Sequence, residues 1–317
     1  MSVVCHARIH SASDSPPPVY LPSSCIVKLY DRRHCKNYRK EYDEGRPYSA
    51  AKEYAYQQFL LNSGKQAEAE HDESITSLCE EGDEAGIEAY IENACRRLHT
   101  VEVRAYEELH ELQGTLIPIF YGSLRYSSPF FPSSSGSSGP SSHSYTAEGI
   151  LIEYIPSTPL GKYLRSAIYA DPPPYHDIAQ VCDSAMQLMD QIDDFSLIND
   201  DVRLDNILVA PVGSVPMTPD GPPHSPSDSA PHRFRCVGID FACTRLRFPD
   251  ETDEQWRRAK QNKDEQGAVG HVVNHLLRLW TEEKEEEKKT KGGNELNSPL
   301  PSGQLWQYPP KDREHRR

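Results

Sequence analysis

Apolar segments with a clear period alternate along this chain with long polar stretches that have none. Cys25-Ile26-Val27-Lys28-Leu29-Tyr30 is a short β-rich run, and a second lies at Leu116–Phe120. Gly149-Ile150-Leu151-Ile152-Glu153-Tyr154-Ile155 is a third, stopped by Pro156. Residues 85–112 form a long helical pattern. Residues 176–195 form another, with Ile178, Val181, Ala185, Leu188 and Ile192 at three- and four-residue steps. Two short strands follow, Ile207-Leu208-Val209 and Cys236-Val237-Gly238-Ile239, around a Pro/Ser-rich insert, which predicts a hairpin with an overgrown loop. An apolar helix over 265–280, carrying Val269, Val273, Leu277 and Trp280, ends the periodic part. The ordered portion reads as mixed α and β, without internal repeats.

Three stretches read as disordered: the inserts 127–145 and 211–233, rich in Ser, Pro and Gly, and the tail 281–317, which opens on a run of charge. Such segments bury too little apolar area to offset chain entropy. Hydrophobic residues make up 37% of the 317 residues and charged ones 26%, so a folded core with unfolded inserts is expected rather than full disorder. The net charge of −14 repels phosphate backbones and argues against nucleic-acid binding. No apolar run is long enough for a membrane helix, and the start has no basic n-region before an apolar core. The 8 cysteines include no C-x-x-C pair. They read as reduced thiols of an intracellular chain, cytoplasmic or nuclear, and not as a disulfide framework or zinc site.

The chemistry concentrates in Asn199-Asp200-Asp201-Val202-Arg203-Leu204-Asp205-Asn206, followed at once by a strand, and in Gly238-Ile239-Asp240-Phe241-Ala242 at the end of the next. Two acids and one amide at the mouth of a hairpin can hold Mg²⁺ through oxygen ligands, the rest of its octahedron being water and phosphate. The arrangement resembles the H-R-D-x-x-x-x-N loop and D-F-G segment of the protein-kinase-like superfamily, which includes the aminoglycoside phosphotransferases. More narrowly, the chain is similar to fungal kinase-like proteins. That likeness rests on Lys28-Leu29-Tyr30-Asp31-Arg32-Arg33, on Ala105-Tyr106 with Leu112-Gln113-Gly114 and Pro118, and on Asp264-Glu265-Gln266-Gly267.

The resemblance implies a two-lobed α+β protein-kinase-like fold over 20–280, with a truncated start to the small lobe and a short large lobe. The small lobe would span 20–155 and the large lobe 156–280, after an N-terminal segment 1–19. It implies ATP and Mg²⁺ as cofactors and phosphoryl transfer to a hydroxyl of a protein or small molecule. Asp201 falls on the catalytic Asp, and Asn206 and Asp240 fall on the metal ligands. Lys28 falls on the phosphate lysine. Arg203 sits where it can neutralise the transferred phosphoryl group, or is a surface arginine. Glu153-Tyr154-Ile155 would be the hinge that meets adenine through backbone groups, so that Glu153 and Ile155 count as nucleotide-binding positions. Asp264 matches a helix Asp that bonds the catalytic-loop backbone, or is a simple N-cap.

A helix glutamate should pair with Lys28, and the sequence supplies a check. Ile91, Ala94, Cys95, Leu98, Ala105, Leu109 and Leu112 form one apolar stripe, and Glu102 interrupts it. A carboxylate facing a core is costly unless a cation meets it. Either Lys28 does so, or Glu102 lies at the stripe edge and reaches water; Glu107 and Glu108 lie off the stripe. The departures are plain. Asn199 and Asp200 replace the usual His and Arg, Ala242 replaces the D-F-G glycine, and no Gly precedes Gly45. Little chain separates Asp240 from Asp264, which favours a non-peptide acceptor. These departures keep a second reading open, a pseudokinase that binds nucleotide without turnover. A third is an interaction scaffold acting through its inserts.

Overall fold

The structure, a computed structural model, describes residues 2–8, 22–63, 84–128, 145–212, 233–290, 306 and 308, with 288 and 289 as backbone only. It is a mixed α and β chain in two compact units. The first comprises Met1–Arg104 and Phe120–Tyr154, the second Ala105–Ile119 and Ile155–Arg317. Among the described residues no helix is long and apolar enough to cross a membrane.

The first unit holds β1 (Val3–Arg8), β2 (Ser24–Tyr30), β3 (Phe120–Ser128) and β4 (Tyr145–Glu153) in one antiparallel sheet of order β1-β2-β4-β3. Its helices are α1 (Lys36–Tyr42), α2 (Ala50–Ser63) and most of α3 (Glu84–Glu108). Gly149 lets β4 close on β2, because a Cβ there would come within 2.6 Å of the Lys28 carbonyl oxygen. Within the N-terminal segment 1–19, Val3–Arg8 is a sheet strand, in register from Val3↔Leu29 to Arg8↔Ser24. It is an edge strand held by backbone bonds, so it shows little apolar alternation.

The run expected as a strand at 116–120 is instead a turn that delivers the chain to β3. Pro118 removes a ladder donor, and Gly114 takes a positive φ of 75°. Residues 105–119 belong to the second unit. Tyr106 meets Phe241 edge-on at 5.5 Å, Gly238 N–H donates to Leu116 O at 2.8 Å, and Arg235 donates to Gly114 O at 3.0 Å.

The rest of the second unit is β5 (Thr158–Pro159), α4 (Leu160–Ile168), α5 (Tyr175–Asp193), β6 (Leu197–Asn199), β7 (Ile207–Pro211), β8 (Phe234–Gly238), β9 (Thr244–Leu246), α6 (Asp253–Lys263) and α7 (Glu265–Thr290). β7 and β8 are antiparallel, from Ile207↔Gly238 to Pro211↔Phe234, which is the expected hairpin. Ser127, Ser128, Tyr145 and Pro211 are strand residues rather than insert; 129–144 and 213–232 lie outside the described residues.

The tail expected from 281 also needs correcting. α7 runs on to Thr290, because Lys284 Nζ caps the Ile168 and Ala170 carbonyls at 2.7 and 2.6 Å and Tyr169 donates to Glu283 at 2.5 Å. Trp306 donates to Asp183 at 2.8 Å, and Tyr308 meets the His271 ring at 5.0 Å. The remainder of 291–317 lies outside the described residues.

Candidate active site

In the first unit, Lys28 lies on β2, flanked by Val4 of β1 and Ile150 of β4. Its side chain is buried, although Val4 beside it is exposed. Glu102 projects from α3 between Leu98 and Ala105 and is 0% exposed. Lys28 Nζ stands 2.6 Å from Glu102 Oε2 and 5.5 Å from the Tyr30 ring centre. A fully desolvated pair of this kind is held by geometry as much as by attraction, since removing both charges from water costs several kcal/mol per ion.

The segment after Lys28 then runs antiparallel along α3. Arg32 Nη1 donates to Glu88 at 2.6 Å, Arg39 Nη1 donates to Glu88 at 2.6 Å, and Cys35 Sγ lies 3.2 Å from Cys95 Sγ. Arg32 also meets Glu53 and Glu92, while Lys52 and Arg39 meet Asp43. Burial pushes the Arg32 guanidinium down, and Glu53, Glu88 and Glu92 outweigh it and hold the group charged. This buried ionic ladder fixes the helix that carries Glu102. Glu153 is buried at the end of β4, opposite Cys25.

In the second unit, the turn between β6 and β7 is held by its own side chains. Asn199 Oδ1 accepts from the Asp201 N–H at 2.9 Å. Asn206 Nδ2 donates to the Asp201 carbonyl at 2.9 Å and to Asp201 Oδ2 at 3.3 Å. Arg203, largely exposed, reaches Asp201 Oδ2 at 2.8 Å. The Ile239 N–H donates to Asn206 O at 2.9 Å, so the backbone of 239–240 sits beside Asn206 at one end of the β7–β8 pair. Asp240 adopts φ 63°, left-handed backbone that few non-glycine residues take. Phe241, after it, is buried against Tyr106. Ile155 is buried with Ala210 and Val237.

Asp264 caps α7, with Oδ1 accepting from the Gly267 N–H at 3.2 Å; a Cβ on Gly267 would collide with that carboxylate. Glu265 bonds the loop, accepting from the Asn199 N–H. Asp200, read as a lost cation, pairs with Lys263 at 2.8 Å. Asn199, Val202, Asn206, Phe241 and Glu265 line one recess. Only a weak sign in the sequence pointed to Glu265, an acid in the first turn of a helix, where many acids are merely solvated.

Glu265 makes the loop pH-sensitive. Burial pushes its carboxyl up from 4.5 to about 7, against the opposing pull of the Asn199 N–H. The folded chain therefore holds a proton the unfolded chain has lost between those values. The associated stability is complete below about 4.5 and is lost as pH rises through about 7, on the order of 3 kcal/mol. Glu265→Gln keeps an acceptor for Asn199 and has no proton to lose. Urea melts of this variant should show a flatter decline from about pH 5 to 8 than the wild type. Equal slopes would contradict the assignment.

Among the described residues no three His, Cys, Asp or Glu side chains cluster as a metal site. Asn206 and Asp240 nevertheless fit a hard cation by chemistry. With Nδ2 committed to Asp201, the remaining polar atom of the Asn206 side chain is its oxygen, and Asp240 supplies a carboxylate.

No family model matches the chain, and no curated protein matches it. Among solved structures, WaaP in complex with acyl carrier protein is similar at 16% identity and a TM-score of 0.32, over 61% of this chain and 77% of that one. Similarity at that level does not establish a shared fold.

Proposed function

We propose that this chain is a kinase-like phosphotransferase that uses ATP and Mg²⁺ to phosphorylate a hydroxyl acceptor. The buried Lys28–Glu102 pair carries the reading. A lysine of a sheet strand paired with a helix carboxylate is the part that positions nucleotide phosphates in protein kinases. In this reading Lys28 contacts the phosphates, and the backbone at Glu153 and Ile155 meets adenine. Asn206 and Asp240 hold Mg²⁺, which when bound neutralises charge on the phosphate oxygens. Asp201 orients the acceptor hydroxyl and takes its proton, and Arg203 offsets charge on the phosphoryl group. β9 and α6 occupy the interval between Asp240 and Asp264 and leave little chain for docking a peptide, which favours a small-molecule acceptor.

One observation favours the second reading, nucleotide binding without turnover. Arg203 and Asn206 both engage Asp201 Oδ2, so that oxygen is already occupied where the acceptor hydroxyl would need it. Steady-state ATP turnover with Mg²⁺ separates the two. The wild type should turn over and Asp201→Asn should lose about 10²–10⁴-fold. Binding without turnover in the wild type would establish the second reading instead.

A further inference from the structure

We propose that Cys35 and Cys95 form a disulfide on mild oxidation, a closable link between α3 and the segment that follows Lys28. Their sulfurs stand 3.2 Å apart in the interior of the first unit, and both residues are buried. Closing to a bonded distance of about 2.05 Å asks for a shift of roughly an ångström. Cys35 is the N-cap of the short helix α1 and Cys95 lies inside α3. The link would parallel the Lys28–Glu102 contact, since Cys95 precedes Glu102 on the same helix by about two turns.

The two sulfurs are chemically unequal. The hydrogen bond with Cys95 favours the Cys35 thiolate against burial, and the same contact with burial pushes the Cys95 thiol up. Cys35 is therefore the attacking sulfur. With a peroxide as oxidant, the Cys35 thiolate attacks one oxygen, the O–O bond breaks, and a sulfenic acid forms with release of hydroxide. The Cys95 sulfur then attacks the sulfenyl sulfur, an S–S bond forms, and its proton leaves with the hydroxyl as water. In sum two thiols and one hydrogen peroxide give one disulfide and two waters. The other described cysteines are at 5, 25, 182, 236 and 243.

The test is peptide mapping of the native full chain after stoichiometric hydrogen peroxide, without reductant, with Cys35→Ser and Cys95→Ser as controls. The expected result is one cross-linked peptide pair joining Cys35 to Cys95, absent from both controls. A rise in melting temperature on the order of 5 °C should appear in the wild type alone and reverse with dithiothreitol. Should a serine variant fold poorly, Cys35→Ala and Cys95→Ala serve as controls. Oxidation of exposed Cys5 with Cys35 and Cys95 left as thiols would overturn the proposal, as would a mixed set of cross-links. This test reads the link itself. It fails or succeeds independently of the phosphotransferase reading, on which only the consequence for Glu102 depends.

Discussion

On the proposed phosphotransferase reading, Lys28→Met is expected to abolish ATP turnover and also to destabilise the chain by about 3–5 kcal/mol, because it takes the cation from a carboxylate that is 0% exposed. The two effects separate in a second variant. Lys28→Met with Glu102→Leu replaces both charges with apolar groups of similar bulk and should recover most of the stability, as exchanges of whole buried pairs do. It should recover no turnover, since no cation then faces the phosphates. Urea melts and an ATP turnover assay on the same preparations check the pair. A double variant that regains activity together with stability would show that Lys28 is structural only.

Glu88→Ala should be nearly as damaging to folding, at about 3–5 kcal/mol. Glu88 is 0% exposed and accepts from Arg32 at 2.6 Å and from Arg39 at 2.6 and 3.0 Å. Its loss leaves two buried guanidinium groups short of an acceptor, although Glu53, Glu92 and Asp43 remain nearby. Glu88→Gln should fall between wild type and Ala, because it keeps one acceptor oxygen and loses the charge. Denaturant melts rank the three. An Ala variant within about 0.5 kcal/mol of wild type would mean that the ladder does not hold α3 in solution.

Glu102 was legible because it broke an apolar stripe, a conflict between polarity and helical phase that only a partner resolves. The β7–β8 hairpin was legible for the converse reason, since its two apolar runs agree with strand, turn and burial. The ladder was not. Arg32, Arg39, Lys52, Asp43 and Glu88 are hydrophilic one by one, and the mutual pairing that buries them lies between distant parts of the chain. α1 and α2 were missed with it, since their inward faces carry these charges. Glu265 was passed over because an acid in a first helical turn is ordinarily solvated, and the contact with Asn199 that buries it joins distant parts of the chain. β1 gave no signal because an edge strand needs only its backbone.

The central claim is that Lys28 and Glu102 exist as a pair for the sake of a nucleotide. Calorimetric titration of ATP with Mg²⁺ into the wild type and into the charge-free double variant tests it most directly. The account predicts saturable, Mg²⁺-dependent binding to the wild type and none to a folded double variant. Equal binding to both, or no binding to the wild type, would contradict it.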